Sequence, residues 1–281
     1  MPVPAATTPP AAAPAPTSGL APAREPAWAR PREPAQRVVL VTGGSRGIGA
    51  ATVRRLAAAG YLPVFTYRQE AKTAQALVEA LRMQGQVAHA LACDVTLPGA
   101  LEALFAQVDG IGPLVGLVNN AGILGTIARV DDLAQEDVSD VFACNVTAVF
   151  ETSRLALRRL STRHGGPGGS IVNLSSGAAR TGGSVEMVLY ASSKGAIDTF
   201  TLGLAREVAA EGVRVNAVAP GLIDTEIHAR AGQPQRLTTL QSSIPMGRAG
   251  TADEVAQAIV WLLSDAASYV TGSILAVAGG R

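Results

Sequence analysis

An α/β fold, doubly wound around a seven-stranded parallel sheet with helices on both faces, is predicted by three observations on this 281-residue chain. Short runs that are apolar throughout recur along it, amphipathic segments of helix length separate them, and the first run breaks into a glycine-rich turn. Strands without polar alternation are buried on both faces, and parallel neighbours need a crossover of helix length between them.

Taken in order, the first strand is VVLVT (38–42), followed by a helical pattern in GAATVRRLAAAG (49–60). PVFTY (63–67) leads to AKTAQALVEALRMQG (71–85), and VAHALAC (87–93) to GALEALFAQV (99–108). LVGLVNN (114–120) precedes one long helix over VSDVFACNVTAVFETSRLALRRL (138–160). IVNLS (171–175) precedes SSKGAIDTFTLGLAREVAAEG (192–212), and VRVNAVA (213–219) opens the last part of the chain. There ADEVAQAIVWLLSD (252–265) forms a helix before the final strand, SILAV (273–277). Each apolar run has strand length and β-branched composition, and each intervening segment carries helical periodicity. In such a fold the ligand crevice lies beyond the carboxyl ends of the strands, where strand order reverses.

Residues 1–36 differ in texture, holding 10 of the 17 prolines and 11 alanines. Proline at that density denies helix and sheet hydrogen bonds, so a disordered tail is expected there and a single domain over 37–281. The tail lacks the basic-then-apolar layout of a secretory signal, and its glutamates and scarce serine weaken a targeting reading.

With 23 basic and 22 acidic residues, the net charge of +1 leaves no electrostatic footprint for nucleic acid or an anionic membrane. No apolar run approaches the roughly 20 residues of a membrane span. Two cysteines, Cys93 and Cys144, and three histidines make neither a disulfide framework nor a metal cluster. A cytoplasmic protein with a small-molecule partner and no metal is expected.

The turn after the first strand reads T-G-x-x-x-G-x-G, from Thr42 to Gly49. Its glycines, Gly43, Gly47 and Gly49, let the backbone approach a diphosphate, and the following helix offers unpaired N–H groups and a positive dipole end. Ser45, Arg46 and Ile48 complete a candidate nucleotide cradle of the Rossmann type. After the second strand, where a carboxylate would select NAD(H), the chain has Tyr67 and Arg68. Arg46 and Arg68 suit a 2′-phosphate through charge-assisted hydrogen bonds, which favours NADP(H) over NAD(H). The plainer alternative is that Arg68 begins a solvated helix.

Further on, LYASSKGAI (189–197) sets Tyr190 and Lys194 four residues apart. On a helix those positions share a face, so an ammonium can bias the ionisation of a phenol whose ordinary pKa is about 10. In isolation the pair is equally a half-buried aromatic beside a solvated charge.

Together, TGGSRGIG (42–49), CDV (93–95), NNAG (119–122), Asn145, NLSS (173–176), YASSK (190–194) and APG (219–221) resemble the classical short-chain dehydrogenases/reductases, from about Arg37 to Arg281. The resemblance implies a tetrad of Asn145, Ser176, Tyr190 and Lys194 in an enzyme that moves hydride between a carbonyl and a secondary alcohol. Tyr190 would be the general acid/base, Lys194 would lower its pKa and hold the nicotinamide ribose, Ser176 would position the carbonyl, and Asn145 would bind a proton-relaying water. Ser176 stands one residue further from Tyr190 than is common in the family, and Ser175 is the alternative.

By the same resemblance Asp94 would reach the adenine amino group, although the residue also suits a helix cap. Asn119, Ala121 and Gly122 would line the cofactor, with a structural turn as their plainer reading. Pro220, Gly221 and Thr225 would meet its nicotinamide carboxamide and pyrophosphate.

Substrate choice is expected in residues 177–189 and in a loop over about 222–248, where His228, Arg230 and Arg236 face either an anionic substrate or solvent. The family's substrates include 3-oxoacyl thioesters, sugars and polyols, and its usual assembly is a homotetramer. A catalytically silent dinucleotide sensor on the same fold is the rival reading.

Overall fold

The computed structural model describes Met1 and residues 37–281 except 228–231 and 234. The expected tail beyond Met1 (2–36), and His228 and Arg230, therefore lie outside the described residues.

Strand β1 (Val38–Val41) is followed by α1 (Gly47–Ala58), β2 (Leu62–Tyr67), α2 (Ala71–Arg82), β3 (His89–Ala92), α3 (Ala100–Ile111) and β4 (Leu114–Asn119). Next come α4 (Gln135–Phe142) and α5 (Ala148–Leu160), joined by a π-turn at Ala143–Thr147, then β5 (Gly169–Leu174), α6 (Ala178–Thr181), α7 (Val188–Val208) and β6 (Val213–Pro220). The last part holds β7 (Ile223–Asp224), α8 (Arg236–Leu240), β8 (Gly250–Thr251), α9 (Ala252–Leu263) and β9 (Ile274–Val277).

Seven strands pair in parallel in the order β3-β2-β1-β4-β5-β6-β9. The side chains of β1 alternate between two cores, as the period of a strand requires. Val39 and Val41 pack with Val53 and Leu56 of α1, Leu77 of α2 and Ile259 of α9. Val38 and Leu40 pack on the opposite face with Leu104 and Phe105 of α3, Leu155 and Leu160 of α5, and Leu204 and Val208 of α7. This two-sided burial explains the absence of polar alternation in the strands.

Strand order reverses at β1, with β2 on one side and β4 on the other, so the loops above these strands diverge and leave a crevice. The expected seven-stranded Rossmann-type architecture is observed. One helix differs from expectation: the segment predicted as continuous over 138–160 is interrupted by the π-turn, which contains Asn145. The wider turn shifts the side-chain register between α4 and α5 at a functional position, where such turns concentrate.

Candidate active site

A crevice of about 380 Å³ runs along the carboxyl ends of the strands, bringing the glycine turn and the tyrosine–lysine pair to one space. At one end α1 presents its N-terminus. Arg46 occupies the cap position without a side-chain capping hydrogen bond to the helix, and no acid stands in the first turn, so the N–H groups and dipole remain available to an anion.

Gly47 adopts φ +51°, a conformation L side chains rarely take. Gly49 faces inward instead: a Cβ there would lie 2.3 Å from the Gly43 carbonyl oxygen, so it sets how closely helix and turn approach. Gly43, Ser45, Arg46, Gly47 and Ile48 line the crevice, and Gly49 supports them from behind.

The turn is braced by a residue that sequence reasoning missed. Asn120 Nδ2 donates to the carbonyls of Thr42 (2.9 Å) and Gly43 (2.8 Å), and the backbone N–H groups of Asn120 and Ala121 donate to Thr42 Oγ1 at 3.0 Å each. Of the doublet at 119–120, it is Asn120 that faces the crevice, beside Ala121 and Gly122.

Asn119, expected on the cofactor, is buried in the sheet. Its Nδ2 donates to Ser153 Oγ (3.1 Å) and Asn173 Oδ1 (2.9 Å), and its Oδ1 accepts from Thr152 Oγ1 (2.6 Å). Asn173 continues the chain to Thr201 Oγ1 (2.9 Å). These bonds satisfy polar groups that burial would otherwise penalise, which commits the side chain to joining β4, β5, α5 and α7.

At the opposite end of the nucleotide track stand Arg68 and Asp94, 3.9 Å apart and weakly paired. Asp94 also accepts from Thr96 N (3.0 Å) and Thr96 Oγ1 (2.7 Å). Against desolvation, which raises it, these bonds and the charge of Arg68 hold the Asp94 carboxyl below its ordinary range. Arg46 is engaged by Glu70, leaving Arg68, 58% exposed, as the freer guanidinium.

Tyr190 and Lys194 lie on α7, and Ser175 and Ser176 follow β5; all four border the crevice. Ser176 lies beside Tyr190, near enough to favour its phenolate, and accepts from Ala178 N at 3.1 Å. Ser175 turns inward toward the Lys194 carbonyl oxygen (3.4 Å) and the Asp198 side chain. The buried Lys194 ammonium donates to the Leu174 carbonyl at 2.7 Å and lies 5.8 Å from the Tyr190 ring centre. Burial lowers its pKa to about 8 despite Cys144 and Asp198, which raise it.

The Tyr190 phenol departs from expectation. Burial pushes its pKa up, and the neighbouring Ser176 and the charge of Arg236 oppose that. The Lys194 ammonium is directed instead at the end of β5, where a backbone carbonyl receives it.

Asn145 is fully buried behind the wall. It accepts from Ile123 N (2.9 Å) and donates to Ile123 O (2.9 Å) and Ser193 Oγ (3.0 Å). Both of its amide hydrogens are therefore used in holding the Gly122–Ile123 turn to α7. Pro220, Gly221 and Thr225 close the crevice beneath β6, and Arg236 and Arg281 enter from the side of the substrate loop.

Among the described residues no His/Cys/Asp/Glu group could hold a metal, both cysteines are unpaired, and no helix is long and apolar enough to cross a membrane.

Residues 43–281 match the family model described as Enoyl-(Acyl carrier protein) reductase. The chain is 50% identical over 245 residues to Uncharacterized oxidoreductase YgfF of Escherichia coli, covering 87% of this chain and 99% of that relative. It is 38% identical over 245 residues to 3-oxoacyl-[acyl-carrier-protein] reductase FabG of Vibrio cholerae, covering 87% and 96% of the two chains. A short-chain dehydrogenase from Burkholderia cenocepacia solved in complex with NADP superposes with a TM-score of 0.79 at 35% identity, covering 88% of this chain and 99% of that one. By sequence match and by architecture, this chain belongs to the classical short-chain dehydrogenase/reductase family.

Proposed function

We propose that this chain is an NADP(H)-dependent oxidoreductase that interconverts a carbonyl and a secondary alcohol, with Tyr190 as general acid/base. The observation that carries the reading is the meeting of Tyr190, Ser176 and Lys194 at a crevice shared with the glycine turn.

The residues present fit a dinucleotide. The glycine turn and uncapped α1 suit a pyrophosphate, Arg68 with Arg46 suits a 2′-phosphate, and Asp94 suits an adenine amino group. Ala121, Gly122 and Lys194 border the space for a nicotinamide ribose, with Pro220, Gly221 and Thr225 beyond it. NADP in the Burkholderia relative supports the same choice. Bound there, the nicotinamide supplies the hydride.

Protein side chains manage the oxygen. Ser176 donates to the substrate carbonyl oxygen and fixes its position, and Tyr190 transfers its proton to that oxygen as the carbonyl carbon is reduced. In the oxidising direction Tyr190 recovers the proton. Lys194, protonated at neutral pH with a pKa of about 8, holds the ribose and the positive potential beneath the phenol. Asn145 acts as a positioning residue, tying the Gly122–Ile123 turn to the helix that bears both groups.

The same family supports a homotetramer. Phe150 of α5 and Leu202 and Val188 of α7 leave apolar surface exposed, with the Phe150 ring tilted against that of Phe200, and a second copy would cover it.

Tyr190→Phe tests the mechanism. The variant keeps NADPH affinity and loses about 10²- to 10⁴-fold in kcat on any carbonyl compound the wild type reduces. Near-normal turnover would overturn the role of Tyr190, and absence of turnover by the wild type across a broad carbonyl panel with both cofactors would leave a dinucleotide sensor.

A further inference from the structure

Arg236 is a crevice cation that no carboxylate pairs among the described residues. It sits at the start of α8, partly buried, where its Nη1 donates to Gln233 Oε1 (2.8 Å) and its Nη2 to Ser184 Oγ (3.0 Å). Both acceptors are neutral. Its Nε is buried without a hydrogen-bond partner, and among the described residues it forms no ion pair with a carboxylate. Arg46 and Arg68, at the nucleotide end of the crevice, do have such partners in Glu70 and Asp94.

Position adds to the argument. Arg236 is close enough to Tyr190 for its charge to act on the phenol, and Arg281 adds a second cation that repels it. Two guanidiniums thus share the crevice with the proposed proton donor, and Glu226 also lines it. Burying a charge without a counterion is costly, so an anion that pairs with this group gains more than it would at an exposed arginine. Ser184 and Gln233 hold the guanidinium plane still, which suits the bidentate geometry of a carboxylate.

We propose that Arg236, assisted by Arg281, binds a carboxylate carried by the substrate, so that the enzyme's preferred carbonyl compound is an oxo acid. The inference rests on the reading of Tyr190 as the proton donor at a substrate carbonyl. Arg236 then anchors the far end of the molecule and orients the carbonyl toward Tyr190 and Ser176.

The test compares short α-, β- and γ-oxo acids with their methyl esters, NADPH being the reductant, in wild type, Arg236→Gln and Arg236→Lys. In the wild type, kcat/KM for an acid of at least one chain length exceeds that of its ester by about tenfold or more, as expected for a charge-assisted contact. Arg236→Gln collapses the ratio, chiefly through KM for the acid, and Arg236→Lys recovers part of it.

A wild type that prefers the esters throughout overturns the proposal, as does an Arg236→Gln variant in which acid and ester fall in parallel. Calorimetric titration of the same acids into NADP⁺-loaded protein separates this failure from that of the functional reading. Binding lost in Arg236→Gln supports the anion site even if no carbonyl is turned over, whereas equal binding or none by both proteins refutes it.

Discussion

Replacing Lys194 with methionine is expected to stabilise the cofactor-free protein at pH 7 while abolishing its turnover. Lys194 is 5% exposed, and burial takes its pKa from the ordinary 10.5 to about 8. At about 1.4 kcal/mol per pH unit, holding the ammonium in the fold costs about 3 kcal/mol. Methionine matches the length of the side chain and removes that cost. It also removes the hydrogen bond to the Leu174 carbonyl, worth about 1 kcal/mol, so the net gain is about 2 kcal/mol.

The dependence on pH gives a second, independent reading. Below pH 8 both folded and unfolded chains carry the proton, and the full cost is present. Between about 8 and 10.5 the folded lysine has released its proton and the unfolded one has not, so stability rises with pH. The raised Tyr190 phenol works in the opposite sense: above about pH 10 the unfolded tyrosine ionises first, and its contribution falls as pH increases. The rise due to Lys194 is therefore clearest between pH 8 and 10. Urea unfolding of wild type and Lys194→Met at pH 7, 8, 9 and 10 measures both effects. A variant less stable than wild type at pH 7, or a slope unchanged by the substitution, refutes the argument.

Arg68→Asp moves preference from NADPH toward NADH, changing the ratio of catalytic efficiencies by about tenfold or more, because it replaces the freer guanidinium with a like charge to the 2′-phosphate. An unchanged ratio assigns the phosphate elsewhere. Ser176→Ala lowers kcat by about 10²-fold, as loss of a donor at a reacting oxygen does. Ser175→Ala instead retains turnover and loses about 1 kcal/mol of stability, since its buried hydroxyl serves Lys194 O; reversal of the two phenotypes would reassign the serine. Asn119→Ala breaks a buried chain of hydrogen bonds and costs about 2–4 kcal/mol, seen as a lower unfolding midpoint, whereas nucleotide affinity per folded molecule is retained.

The order of strands and helices was legible because unbroken apolar runs and helical periods are properties of consecutive residues. The glycine turn and the Tyr190–Lys194 spacing are equally local. Adjacent residues at strand ends are less so: Asn119 and Asn120, or Ser175 and Ser176, differ only in which way they leave the sheet. The strand alternates faces, but where the chain departs from the ladder depends on partners far along it, Thr42 for Asn120 and the Lys194 carbonyl for Ser175.

The π-turn under Asn145 is likewise invisible to a pattern of apolar residues, because it inserts no breaker. Sequence by itself determined that this chain folds as a doubly wound α/β sheet with a nucleotide-type turn and a phenol–ammonium pair on one helix. Tertiary structure alone decided what else surrounds the phenol. Helical spacing put Lys194 near Tyr190, but an electrostatic field depends on distance and burial in space, and there burial depresses the Lys194 pKa while Arg236, 46 residues along the sequence, brings a further charge to the crevice.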